Sequence, residues 1–116
     1  MRIELEARDQ RLNSELMMDM EQDRDDNGLY PGGATISFPI AHIQESVGFP
    51  EVFSVVVSFA GQAITTVAPN LLSNWFWEKF TKHKVKRIQI DGLDIHLNDK
   101  GEFERILAKK ITIEVR

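Results

Sequence analysis

Charge is almost missing from the middle of this chain. Residues 27–77 carry only Glu45 and Glu51, with no lysine or arginine. A folded chain keeps charged side chains on its wet surface, so a neutral stretch of fifty-one residues must turn inward or against another surface. The flanks are the reverse. Residues 1–26 hold nine acids (Glu4, Glu6, Asp9, Glu15, Asp19, Glu21, Asp23, Asp25 and Asp26) and four bases. Residues 79–87 hold five bases (Lys79, Lys82, Lys84, Lys86 and Arg87) and no acid.

A length of 116 residues suits one domain, residues 1–116, with one core of modest size. Hydrophobic residues at 42% and charged residues at 28% fit a globular chain rather than a disordered one. There is no cysteine, which excludes disulfides and thiolate metal sites and fits a reducing cytoplasm. The opening Met1 to Glu6 is too charged for a signal peptide. Every apolar run is broken before the roughly 18–20 residues of a membrane span. A net charge of −4 weighs against general nucleic-acid binding.

Residues 2–6 alternate and read as a strand. In residues 9–22, Leu12, Leu16 and Met20 recur every fourth position, which predicts an amphipathic helix closed by Asn27-Gly28. Tyr30-Pro31-Gly32-Gly33 is a loop, and residues 34–38 alternate as a second strand. Residues 52–59 have the β-branched content of a strand. At 100° steps, however, Val52, Phe53, Val56, Val57, Phe59, Ala60, Ala63, Ile64 and Val67 gather on one side. Val55 is the exception. That split favours a helix over 51–68, kinked at Pro69 and resumed to Lys82. Residues 85–90 and 93–97 then form a hairpin about Asp91-Gly92, with Leu93, Ile95 and Leu97 inward. Residues 102–110 form a short helix, and residues 111–115 a closing strand. The expected fold is α+β, a two-layer sandwich. It has a mixed sheet of about five strands, a C-terminal hairpin and a long kinked helix.

Asp23, Asp25 and Asn27 match the opening of a calcium loop, with Gly28 at its sixth position. Position twelve, where calcium needs a bidentate carboxylate, is Ala34. An acidic helix end with an Asn-Gly stop accounts for the same residues, and no metal or cofactor is expected. His42, His83 and His96 share no metal-binding spacing. Asp94 and His96 lie two apart but lack a nucleophile beside them, and no serine has the flanking glycines of a nucleophile elbow. The chain therefore reads as non-enzymatic.

The basic residues Lys79, Lys82, Lys84, Lys86 and Arg87 stand beside Trp75, Phe76, Trp77 and Phe80, an arrangement that also suits nucleic acid. Cations gathering at a helix C-terminus explain most of it. On that helix Trp77 stands about 160° from Trp75, so one tryptophan must leave the core. On the 51–68 helix the polar flank consists of Ser54, Ser58, Gly61, Gln62 and Thr65, all small or uncharged. With Trp77 these are the candidate interface residues, because an exposed helix flank normally carries charge.

The succession of a hydrophobic small-residue helix (Val52 to Val67), an aromatic-basic exit (Trp75 to Lys84), a hairpin (Val85 to Leu97) and a short helix resembles effector-associated constant components. These are compact bacterial modules that accompany effectors in conflict systems. The resemblance spans roughly residues 50–110 and supplies no catalytic residues. It implies an adaptor role. The expectation is thus a cytoplasmic interaction module that self-associates or docks a protein partner. Nucleic-acid binding by the basic run is the alternative.

Overall fold

A computed structural model of the protein describes residues 1–7, 10–38, 51–59 and 67–114. Along the chain these form β1 (Arg2–Ala7), α1 (Gln10–Gln22), β2 (Thr35–Ser37), β3 (Glu51–Ser58), α2 (Pro69–Lys82), β4 (Arg87–Ile90), β5 (Leu93–Ile95) and α3 (Lys100–Glu114). The five strands make one sheet in the order β2-β3-β1-β4-β5. Every pairing is antiparallel, so the α+β class holds but the sheet is not mixed.

The largest departure from the sequence reading is β3. Residues 51–58 are a strand, not the first half of a helix. Val55, the residue that broke the helical split, is fully buried, as are Val57 and Phe59. Alternation puts these three on one face and Ser54, Val56 and Ser58, all half-buried, on the other. Valine packs well on a pleated sheet beside β1, and that contact outweighs the helical pattern. Gly61, Gln62 and Thr65 lie outside the described residues. Pro69 does not kink a longer helix. It opens α2 after Ala68, which is extended (φ −110°, ψ 92°), the position where a missing N–H costs nothing.

The alternating residues of β1 and β4 bury Ile3, Leu5, Ile88 and Ile90 beside Val55 and Val57. Leu16 and Met20 of α1, Leu72, Trp75, Phe76 and Phe80 of α2, and Phe103, Ile106, Leu107 and Ile111 of α3 join the same core. The helices therefore cover one sheet face. In α3 the buried Phe103, Leu107 and Ile111 recur every fourth residue, which carries the helix through the expected closing strand to Glu114. Leu93 and Leu97, expected inward, are exposed, and only Ile95 of that segment is buried. No helix among the described residues is long and apolar enough to cross a membrane.

Candidate functional site

The two charged flanks meet. Asp19 lies near the end of α1 and Asp23 in the turn that closes it. Trp75, Lys79 and His83 recur every fourth residue along α2 and its cap, so they face α1 as one row. Lys79 Nζ donates to Asp19 Oδ1 at 2.8 Å and lies 2.8 Å from Asp23 Oδ2. Trp75 Nε1 donates to Asp23 Oδ2 at 2.7 Å. On the other Asp19 oxygen sit Lys82 Nζ at 3.0 Å and His83 Nε2 at 2.8 Å.

The Lys79 and His83 contacts hold the Asp19 carboxyl well below the usual carboxylate range. Lys79 and Trp75 also lower the Asp23 carboxyl. Burial favours the neutral amine of Lys79, but the two carboxylates outweigh it and its pKa rises. A lysine held protonated is no nucleophile or general base, so the cluster acts as a clasp between α1 and α2. Complementary rows, Asp19 and Asp23 against Trp75, Lys79 and His83, were present in the sequence but unmatched, because nothing in either run shows that the two helices run antiparallel.

The calcium reading loses its ligands to the same clasp and to the turn. Asp23 is taken by Trp75 and Lys79. Asp25 Oδ1 accepts the N–H groups of Asn27 (2.9 Å) and Leu29 (2.8 Å). Among the described residues no group of three or more acidic or histidine side chains is placed to hold a metal.

The basic run is divided. Lys79 and Lys82 belong to the clasp. Arg87 forms a two-pronged bond to Asp94 (2.9 and 3.1 Å), and Asp94 also accepts from Gln89. Lys84 and Lys86 are exposed. Asp94 thus faces Arg87 rather than His96, which follows β5 and is exposed.

The expected interface residues do not come together. Trp77 lies in the helix layer, half-buried, its ring centroid 5.5 Å from that of Phe103 on α3. Both tryptophans therefore pack, Trp75 toward α1 and Tyr30, Trp77 toward α3. Ser54 and Ser58 stand on the opposite side of the sheet. They still share a face, because a spacing of four returns to the same side in a strand as it nearly does in a helix.

On that face, opposite the described helices, register sets Thr35 across from Ser58 and Ser37 across from Val56. With Ser54 these make a neutral strip over β2 and β3. Beyond it, Arg2, Glu4 and Glu6 of β1 oppose Val56, Ser54 and Val52. Gln89 and Arg87 of β4 pair with Glu4 and Glu6 on their other side. The face is a neutral strip bordered by a mixed-charge half. Sequence reasoning missed the β1 and β4 contribution, although the alternation in residues 2–6 was visible, because strand order decides which rows adjoin.

No family model, curated protein or solved structure matches the chain. The leading element of the resemblance to effector-associated constant components, a helix over Val52 to Val67, is a strand as far as Ser58.

Proposed function

We propose that this protein is a non-enzymatic interaction module that associates with itself through the sheet face opposite its described helices. One observation carries the reading: Thr35, Ser37, Ser54, Val56 and Ser58 form a neutral strip, bordered on β1 and β4 by Arg2, Glu4, Glu6 and Arg87. The strip runs along the β2 edge of the sheet and meets charge only on its β1 side, so a second neutral strip could cover it without burying an unpaired charge. An antiparallel sheet can leave one face to water, but such a face usually alternates into charged residues on every strand. Docking of an effector on the same face is what the resemblance adds. Its hairpin and following helix agree with the fold, and its helix over 52–58 does not.

The test is a pair of arginines, Ser54→Arg with Ser58→Arg, followed by sedimentation velocity and thermal melting. The reading expects assembly to be lost and the melting temperature held within a few degrees. An unchanged sedimentation profile in a folded variant would overturn it.

A further inference from the structure

We draw no further inference here: the strongest candidate, the outer edge of β5 with the exposed Leu93 and the exposed Leu97 just beyond it, carries nothing because no contact in the structure shows what covers it.

Discussion

Gly32 stands at φ +93°, and a Cβ added there would fall 2.6 Å from Leu72 Cβ. Its carbonyl accepts the Ala68 N–H at 2.9 Å, so the Tyr30 to Gly33 loop is pressed against the start of α2. Gly32→Ala combines a left-handed backbone with an overlap that the helix cannot yield to. The expected loss is about 2–4 kcal/mol, read as a lower urea midpoint. An unchanged midpoint would mean that the loop does not sit so tightly. Lys84 shows the opposite case. Val85 N–H bonds to Phe80 O at 3.0 Å and Lys84 N–H to Thr81 O at 3.3 Å, a Schellman ending, with Lys84 left-handed at φ 53°. Glycine is the usual residue there, so Lys84→Gly is expected to stabilise by roughly 0.5–1 kcal/mol, visible as a higher melting temperature. A lower one would contradict the cap. Neither position was legible in the sequence as more than a loop or a basic run, because positive φ at a lysine follows from the path of the chain.

At the scale of elements, the clasp between α1 and α2 sets a pH dependence. Asp19 and Asp23 titrate below the ordinary 3.8 when folded. The unfolded chain therefore takes up protons first as acid is added. The stability they supply is present above about pH 4 and is lost as pH falls through their folded values. Lys79 titrates above the ordinary 10.5, so its share is complete below that pH and is lost only as pH rises through the folded value. Lys79→Met removes the shared cation, while Asp19 keeps Lys82 and His83. The expected cost at neutral pH is about 2–4 kcal/mol, with a shallower decline in stability as pH falls below about 4. Denaturation curves across that range check both, and an unaltered slope would mean that Lys79 is not the hub. Elements with one dominant period were readable: the hairpin at Asp91-Gly92, α1, and the body of α2. The failures fall where two periods compete. In residues 51–58 the burial of Val55, Val57 and Phe59 decides for a strand. In residues 111–114 the stripe through Phe103, Leu107 and Ile111 decides for a helix. For residues 51–58 the neighbouring strand makes the choice, whereas for α3 the every-fourth-residue stripe lies in the local sequence and competes there with the alternation of residues 111–115.

For the whole molecule, many of the described residues of the neutral middle go to one of two places. Part of it is core, and part is the strip on the sheet face opposite the described helices. That face is small. Five strands about 4.8 Å apart, averaging about five residues at about 3.4 Å each, span about 400 Å² in each copy. Two copies would bury about 800 Å², at the weak end for specific association. The contact is therefore expected to be a rapid, concentration-dependent equilibrium. Its charged border makes it sensitive to salt, with association shifting as ionic strength rises past about 0.15 M. The measurement that bears most directly on this is molar mass by light scattering over concentrations from about 10 μM to about 1 mM. The account predicts a mass that climbs from 13.3 kDa toward twice that value, and a Val56→Arg chain that stays at 13.3 kDa. A parent chain that remains at 13.3 kDa throughout would contradict it.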